Sequence, residues 1–353
     1  MASKSITKYA VYFIIAAILF GLIATFSPGK KKELRFPDIV IFPDVNTTVV
    51  SGSELTIKLN EEKLSGVDSV IIKFSSDYTD VKGTFSHTIN TTGLPLGYHA
   101  AEITVHDAKK SKTVALPFVV TSDINPSQLN FTKLSQITHD KKSYTQGLEF
   151  YNDIIYESTG QYKESTVRKV NPKTGQTIKS VPLSSEFFGE GLTVLKNKVY
   201  QITWKEATCF VYDDQLNLLK KNGFRTTSGE GWGLTNDGNS LIVSDGTNKL
   251  TYVNPETFAV EKIVSVYAGA NEVQYLNELE YVDGHIYANI YTTNQIAKIE
   301  ANTGKVINVY DLATLKNENQ DGEVLNGIAY NPASKTFFVT GKYWGKMYEV
   351  RLQ

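Results

Sequence analysis

The sequence predicts an all-β fold: a five-bladed β-propeller preceded by a small immunoglobulin-like β-sandwich and an N-terminal transmembrane helix. Three observations lead to this prediction. An uncharged apolar run opens the chain, short alternating segments follow, and one motif then recurs five times at intervals of about 45 residues. Long segments with helical periodicity are missing from the remainder, which disfavours an α/β fold.

Composition narrows the function before any motif is considered. The 36 Lys and Arg residues nearly balance the 37 Asp and Glu residues, so no basic excess is available to bind nucleic acid. With 353 residues, 41% of them hydrophobic, the chain has enough material for two packed domains. Cys209 is the single cysteine, and no Cys and His cluster indicates a zinc site. We therefore expect neither a metal nor a cofactor.

Residues 1–35 are predicted to be a membrane anchor followed by a charged tether. The run from Tyr9 to Phe26 is apolar, uncharged and just long enough to span a bilayer. A cleaved signal peptide, which would give a secreted protein, also fits, but the bulky Phe26 stands where cleavage favours a small residue. We favour the anchor, with the rest of the chain on the extracytoplasmic side, periplasmic or extracellular. The flanking lysines do not decide that orientation.

Residues 36–122 have the pattern of a small antiparallel sandwich. Apolar and polar residues alternate in short segments such as Leu55–Leu59 and Ala101–Val105, which turn residues separate. Six or seven such strands in about 85 residues suggest an immunoglobulin-like domain that serves as a spacer or docking module. Three histidines fall in this range and are interpreted as solvent-facing strand residues rather than a metal triad: His87, His99 and His106.

Residues 128–353 contain the internal repeat. Its aliphatic anchors are Leu148, Leu192, Leu234, Leu279 and Ile328. Each anchor is followed by a turn and by further β-rich segments, and four strands per period of about 45 residues is the spacing of a propeller blade. The last period contains only three strands. We expect the strand from Leu129 to Ile137 to supply the fourth and so close the ring.

The residue two positions before each anchor is predicted to point into the central channel. These residues are Gln146, Glu190, Trp232, Asn277 and Asn326. Hydrogen-bonding side chains gathered there are costly to desolvate unless they pair with each other or hold a ligand. Mutual pairing that plugs the channel and a binding site are both open. The glycines beside several of these residues favour the site, because their missing side chains should leave room for a guest.

Several motifs in this region resemble, in order, those of the plant-type glutaminyl-peptide cyclotransferases, also called glutamine cyclotransferases. The resemblance covers roughly residues 129–353. The motifs are Tyr-Thr-Gln146-Gly-Leu, Phe188-Gly-Glu190-Gly, Gln201-Ile-Thr-Trp204, Glu-Gly-Trp232-Gly-Leu, Leu-Asn277-Glu-Leu-Glu-Tyr and Val-Thr-Gly341-Lys342. The family's fold is a five-bladed propeller, which agrees with the independent reading of the spacing.

The resemblance implies a role for each matching residue. Glu190 corresponds to the family's acid/base carboxylate, and Asn277 and Lys342 are the other catalytic candidates. The implied substrate-binding residues are Tyr144, Gln146, Phe188, Trp204, Trp232 and Tyr291, to which the ring position adds Asn326. Tyr144 and Tyr291 depart from the Phe and Trp that the family often has, so the aromatic character remains while the substrate preference comes into question.

The implied reaction converts an N-terminal glutamine into pyroglutamate and releases ammonia. The substrate's own α-amine attacks the γ-carboxamide, so no enzyme nucleophile is required, in agreement with the lack of a Gly-x-Ser-x-Gly motif. One carboxyl group within reach of both nitrogens suffices as a proton relay. Burial among aromatic residues should raise the pKa of Glu190, and Asn277 and Lys342 could stabilise charge on the γ-oxygen.

Two other functions remain open at this stage. The propeller could be a non-catalytic cell-surface module that binds peptide termini or glycans, or Glu190 and Glu230 could form a glycosidase pair. We interpret Glu230 and Glu278 as structural hydrogen-bonding residues and His139 as a brace for its turn. The expected partners are peptides or proteins with N-terminal glutamine and, through the N-terminal helix, a membrane.

Overall fold

The computed structural model describes residues 39–44, 47–108 and 110–353, and these residues form an almost entirely β structure. Helical segments are short, as in α1 (Glu61–Leu64) and α2 (Ala313–Asn317). The predicted anchor from Tyr9 to Phe26 lies outside the described residues. Within the described ranges, no helix has the length and apolar character needed to cross a membrane.

The described chain divides into two compact units. The first consists of the described residues up to Thr92 together with Tyr98–Val119, and the second consists of Gly93–Gly97 and Val120–Gln353.

The strands β1 to β8 belong mainly to the first unit and form two sheets, in the orders β1-β3-β6 and β2-β8-β7-β4-β5. Their bounds are Val40–Phe42, Thr47–Val50, Glu54–Leu59, Ser69–Phe74, Asp77–Asp80, Ser86–Asn90, Gly97–Asp107 and Lys110–Thr121. In β3 the alternation read from the sequence is realised, since Leu55, Ile57 and Leu59 are buried. The described residues between Val40 and Thr121 contain eight strands rather than the predicted six or seven. Three of them, β1, β2 and β5, are only three or four residues long and alternate too little to be recognised.

The second unit is built from five sheets, each with four antiparallel strands, which are consecutive in the chain in all but sheet 5. Sheet 1 is β11 to β14, sheet 2 is β15 to β18, sheet 3 is β19 to β22, sheet 4 is β25 to β28, and sheet 5 is β29 to β31 with β10. The strand bounds are, from β9 to β22, Ser127–Leu129, Phe131–Thr138, Thr145–Tyr151, Ile154–Thr159, Thr166–Val170, Thr177–Pro182, Gly189–Leu195, Lys198–Thr203, Thr208–Tyr212, Leu218–Gly223, Leu234–Asn236, Leu241–Ser244, Lys249–Val253 and Val260–Ser265. From β23 to β31 they are Tyr267–Ala268, Asn271–Glu272, Leu276–Val282, His285–Ile290, Gln295–Glu300, Val306–Asp311, Leu325–Asn331, Thr336–Gly341 and Lys346–Leu352. The strands β23 and β24 form a separate two-stranded ribbon.

These sheets follow one another in a closed cycle. The first strand of each sheet contacts the first strand of the next, and β29 of sheet 5 contacts β11 of sheet 1. Over the fully described range 120–353, five hydrophobic clusters fill the spaces between successive sheets. The cluster that joins sheet 5 to sheet 1 contains Leu148, Phe338 and Met347. Burial between sheets is therefore continuous around the cycle and supplies most of the stabilising free energy.

The closing strand comes from the N-terminal side, as the sequence predicted. Strand β10 pairs antiparallel with β31, with Phe131 opposite Leu352 and Thr138 opposite Lys346. The predicted strand from Leu129 to Ile137 is, however, two strands. Leu129 belongs to β9, which adds a parallel strand to β28 of sheet 4, and only the residues after Asn130 belong to sheet 5. The segment that precedes sheet 1 thus adds one strand to sheet 4 and one strand to sheet 5.

Candidate active site

Irregular pairing at the starts of the inner strands positions the predicted ring residues. The first strands of sheets 1, 2, 4 and 5 each contain a register shift, and one ring residue lies in each: Gln146, Glu190, Asn277 and Asn326. Trp232 lies just before β19 in sheet 3. A bulge bends its strand and re-aims the extra side chain. Residues 180 positions apart in the chain consequently meet at one end of the cycle of sheets.

A cavity of about 270 Å³ lies where these strands begin. It is lined by Tyr144, Gln146, Gln161, Phe188, Glu190, Trp204, Trp232, Asn277, Tyr291 and Lys342. Nine of the ten residues singled out from the sequence are on this lining, which gathers contributions from all five sheets. The tenth, Asn326, is fully buried beside Gln146. Its Nδ2 donates to Gln146 Oε1 at 3.1 Å and to the Thr145 carbonyl at 3.0 Å, so it orients Gln146 rather than facing the cavity.

Gln161, which lies in the loop after β12, also lines the cavity and was not expected from the sequence. Its backbone has a φ of 88°, and its carbonyl accepts a hydrogen bond from Ser165 Oγ at 2.7 Å. A left-handed φ at a residue other than glycine is strained, and such strain is common at functional sites. The only sequence signal was the preceding Gly160, at which a side chain would collide with the ring of Phe188.

The glycines beside the ring do not leave room for a guest, so that part of the sequence interpretation was wrong. Instead three of them let the inner strand of the next sheet approach closely. A Cβ atom would overlap backbone atoms in three successive places: Gly147 with Leu192, Gly191 with Leu234, and Gly233 with Asn277. Between two of these strands the Gly191 amide donates to the Trp232 carbonyl at 2.7 Å. The space for a ligand therefore arises from the bulges and from the side chains that surround them.

Aromatic rings form most of the cavity wall and contact one another edge to face. Phe188 lies 6.2 Å from Tyr144 and 5.6 Å from Trp204, measured between ring centroids. On the other side Trp232 lies 5.5 Å from Tyr291 at an interplanar angle of 82°. Such contacts are worth about 0.5–1.5 kcal/mol each beyond burial and fix the ring orientations. The cavity is thus a largely apolar enclosure.

Glu190 is the acidic residue of this enclosure. It is 5% exposed, and its carboxyl receives no hydrogen bond from the described residues. Its pKa is therefore set by burial and by neighbouring charges. Burial raises its pKa well above the usual value for a glutamate, as predicted, and the positive charge of Lys342 opposes part of that rise. A carboxyl that changes protonation state closer to neutral pH suits general acid and base chemistry.

Lys342 is the basic residue of the enclosure. It is 2% exposed, and its Nζ lies 4.5 Å from the centroid of the Tyr144 ring and 4.8 Å from that of Tyr291. Burial lowers the pKa of Lys342 to about 8, and the charge of Glu190 opposes that decrease. The two aromatic faces hold the ammonium group in place. This arrangement keeps a cation available in an apolar site near neutral pH.

Asn277 presents an unused hydrogen-bonding atom. Its side chain lines the cavity and is 2% exposed, and Oδ1 has no hydrogen-bond partner among the described residues. Its backbone carbonyl is fixed by Ser244 Oγ at 2.6 Å. Buried polar atoms without partners are rare and costly, so this unpaired oxygen marks Asn277 as a candidate ligand-binding residue.

The acidic and basic residues that we interpreted as structural do make structural contacts. Glu278 is fully buried and accepts hydrogen bonds from the backbone amides of Leu148 at 3.0 Å and Ile328 at 2.8 Å. His139 lies within hydrogen-bonding distance of the Trp344 carbonyl at 2.8 Å and of Glu157 Oε1 at 2.9 Å. Both residues therefore tie sheet 5 to its neighbours beneath the cavity.

Glu230 also makes structural contacts, at the cavity wall. One of its oxygens, Oε2, accepts hydrogen bonds from Trp204 Nε1 at 2.7 Å and from Trp232 Nε1 at 2.9 Å. A carboxylate engaged by two indoles is poorly placed to act as the second acid of a glycosidase. In the ranges covered by the structure, no group of three or more His, Cys, Asp or Glu residues is arranged to bind a metal ion.

Comparison with known proteins gives one consistent family. A model of the glutamine cyclotransferase family matches residues 102–352. A glutaminyl-peptide cyclotransferase of Arabidopsis thaliana is 38% identical over 226 residues, which cover 62% of this chain and 70% of that protein. The crystal structure of Myxococcus xanthus glutaminyl cyclase is 32% identical and superposes with a TM-score of 0.61, covering 65% of this chain and 98% of that one.

Proposed function

Because the chain belongs to the glutamine cyclotransferase family and is a glutaminyl-peptide cyclotransferase, we propose that the cavity binds the N-terminal glutamine of a peptide or protein and that Glu190 relays the proton during its cyclisation. The observation that carries this proposal is the buried Glu190 carboxyl, which has no hydrogen bond within the described chain, in an aromatic enclosure that also holds Lys342. The cavity volume of about 270 Å³ suits a single residue rather than a long peptide segment.

The reaction begins with the neutral α-amine of the bound glutamine. Its nitrogen attacks the γ-carboxamide carbon, a C–N bond forms, and the carbonyl oxygen becomes an oxyanion. Ionised Glu190 accepts a proton from the attacking nitrogen and returns it to the departing nitrogen. The original C–N bond then breaks, the carbonyl reforms, and pyroglutamate and ammonia are the products.

Lys342 and Asn277 interact with the polar and charged groups of the substrate during this reaction. The Lys342 ammonium stabilises the oxyanion, and a preorganised donor of this kind contributes about 3–4 kcal/mol to lowering the barrier. Asn277 Oδ1, which lacks a partner, accepts a hydrogen bond from a nitrogen of the substrate. Gln146 is fixed by Asn326 and orients the substrate, while the rings of Tyr144, Phe188, Trp204, Trp232 and Tyr291 exclude water from the reacting atoms.

We extend the proposal to the organisation of the chain. The cycle of sheets in residues 128–353 is a five-bladed propeller that carries the active site, and residues 36–122 are an immunoglobulin-like domain. The closed cycle of contacts between inner strands supports the first assignment. The apolar run in residues 1–35 supports attachment to a membrane. We place the catalytic domain on the extracytoplasmic side as part of the same proposal.

Ammonia release tests the function. The full-length protein is incubated with a peptide that begins with glutamine and, as a control substrate, with the same peptide acetylated at its α-amine, which cannot attack. We expect ammonia from the first peptide only, and a turnover lower by a factor of about 10²–10⁴ for Glu190→Gln. The matched variant Glu256→Gln changes a surface carboxylate that pairs with Lys198 and should retain activity. Failure of the wild-type protein to release ammonia would favour a binding module and refute the proposal.

A further inference from the structure

Glu230 lies in the loop between β18 and β19, and its backbone is fixed on both sides. Its carbonyl accepts a hydrogen bond from Thr226 Oγ1 at 2.6 Å, and its amide donates to Ser228 Oγ at 3.2 Å. The next amide, that of Gly231, donates to the Trp204 carbonyl at 2.9 Å. The loop of sheet 3 is therefore registered against the end of β16 in sheet 2.

The Glu230 side chain repeats this connection inside the cavity wall. Trp204 belongs to the segment after β16, and Trp232 immediately precedes β19, so the two indoles come from different sheets. Both donate to the same oxygen of Glu230, at 2.7 Å and 2.9 Å. Hydrogen bonds from neutral donors to a carboxylate are roughly twice as strong as those between neutral groups. One acceptor atom consequently sets the orientation of two of the aromatic walls.

We propose that Glu230 is a positioning residue for the cyclisation, which holds Trp204 and Trp232 in the orientation that fits the N-terminal glutamine. This inference rests on the proposed function. Neither indole has another hydrogen-bond acceptor among the described residues. Without Glu230, each indole keeps its ring contacts, to Phe188 for Trp204 and to Tyr291 for Trp232, but loses the hydrogen bond that restrains its χ2 angle. The enclosure that orients the reacting atoms therefore loosens. A misplacement of about 1 Å can lower the rate about 100-fold.

The Glu230 charge has a second, separable consequence at Glu190. Burial is the main cause of the raised pKa of Glu190, and the charge of Lys342 lowers that pKa. The carboxylates of Glu230 and Glu206 raise it further. Glu206 is bound differently: it accepts hydrogen bonds from the Tyr162 hydroxyl at 2.8 Å and from the Phe188 amide at 3.3 Å, whereas both indoles donate to Glu230. Glu206 is therefore the matched control for charge without indole positioning.

Three variants of the full chain separate position from charge: Glu230→Ala, Glu230→Gln and Glu206→Gln. In Glu230→Gln the amide oxygen can still accept both indole hydrogen bonds. We expect Glu230→Ala to raise KM and lower kcat/KM for the glutamine peptide by about 10- to 100-fold. Glu230→Gln should retain a KM close to that of the wild type. Both Glu230 variants and Glu206→Gln should move the acidic limb of the pH profile to lower pH.

Tryptophan emission provides a readout that does not depend on turnover. The chain has three tryptophans, and two of them are bound by Glu230. We expect acrylamide to quench Glu230→Ala more strongly than the wild type, Glu230→Gln or Glu206→Gln, at an unchanged circular dichroism spectrum. Unchanged KM and unchanged quenching in folded Glu230→Ala would overturn the inference. A wild-type protein that releases no ammonia but shows the quenching difference would instead refute the proposed function and leave the positioning of the indoles intact.

Discussion

Glu190 and Lys342 are both buried in an apolar enclosure, and burial acts on them in opposite directions. It raises the pKa of the Glu190 carboxyl and lowers that of the Lys342 ammonium, while each charge partly restores the other. Their ionisation states are therefore linked. The same desolvation that makes ionisation costly also strengthens each charge's effect on a bound substrate.

The pH profile of kcat/KM should report this linkage. In the proposed mechanism activity requires ionised Glu190, so the acidic limb should follow the raised pKa of that group. Lys342→Met removes the nearby positive charge, and we expect it to move the acidic limb to higher pH and to lower the maximum by about 10²–10³-fold. The control Lys298→Met removes a lysine that lies 5.7 Å from the Tyr287 ring, outside the cavity. An acidic limb that does not move in Lys342→Met contradicts the linkage.

The Lys342→Met substitution should lower activity but raise the stability of the fold. The pKa of Lys342 falls from 10.5 to about 8 on folding, so the native state disfavours the charged form. This penalty is absent above the unfolded pKa and complete below the folded one, where it amounts to about 3 kcal/mol. We expect Lys342→Met to raise the free energy of unfolding by about 1–3 kcal/mol at pH 7, and the gain to disappear between about pH 8 and pH 10.5. Urea denaturation at several pH values measures this difference, and a destabilised variant at pH 7 would disprove it.

Four of the lining residues follow from the fixed spacing of the repeat: Gln146, Glu190, Trp232 and Asn277. The other five that were expected from the sequence were implied by the resemblance to the glutamine cyclotransferase motifs. Gln161 escaped because it lies outside the repeat, in a loop whose strained backbone is invisible in the residue order. Asn326 shares the ring position but faces Gln146, since a side chain's direction within a bulge depends on local backbone geometry. The shared acceptor at Glu230 was equally hidden, because nothing in the chain order indicates that two indoles reach the same oxygen.

The inner strands combine two features that belong together. Their bulges turn polar side chains toward the cavity, and their glycines let adjacent strands pack against each other at backbone distance. From the sequence, the glycines were expected to leave space for a ligand, whereas they make room for a neighbouring strand. The sequence does not distinguish the two, because a missing side chain is compatible with either. Five sheets can converge on so small a cavity only if their inner strands approach this closely.

Gly233→Ala should therefore be among the more damaging single changes. The added Cβ would overlap the Asn277 carbonyl, so β19 or β25 must shift, and overpacking of this kind costs about 1–3 kcal/mol or more. Because Asn277 lines the cavity, kcat/KM should fall together with the melting temperature. The control is Gly223→Ala in β18, where the new Cβ would lie 3.8 Å from the Ala207 carbonyl, an ordinary contact. Similar melting temperatures for the two variants would show that the strands have room to separate.

The proposed active site depends on the whole cycle of sheets rather than on any one of them. Tyr144 and Gln146 come from sheet 1 at the start of the cycle, whereas Lys342 follows β30 of sheet 5 at its end. Equal spacing of the repeats was enough to predict that the chain returns to its starting point. The division of the closing segment into β9 and β10 could not be predicted, because the parallel pairing of β9 with β28 leaves no periodic signal in three residues.

Closure by β10 can be tested with two adjacent prolines, Ser135→Pro and Gln136→Pro. Consecutive amides of a strand point alternately toward and away from the partner, so this pair removes at least one hydrogen bond to β31. Each unpaired carbonyl costs about 1–3 kcal/mol, and the loss falls on the strand pairing that joins sheet 5 to the strand preceding sheet 1. The control pair, Leu218→Pro and Leu219→Pro, affects the outermost strand of sheet 2, which a hairpin still joins to β17. We expect the β10 pair to abolish ammonia release and change tryptophan emission, because Lys342 separates from Tyr144, whereas the β18 pair should retain both at 25 °C. Equal losses in the two variants would mean that the cycle does not depend on its closing strand.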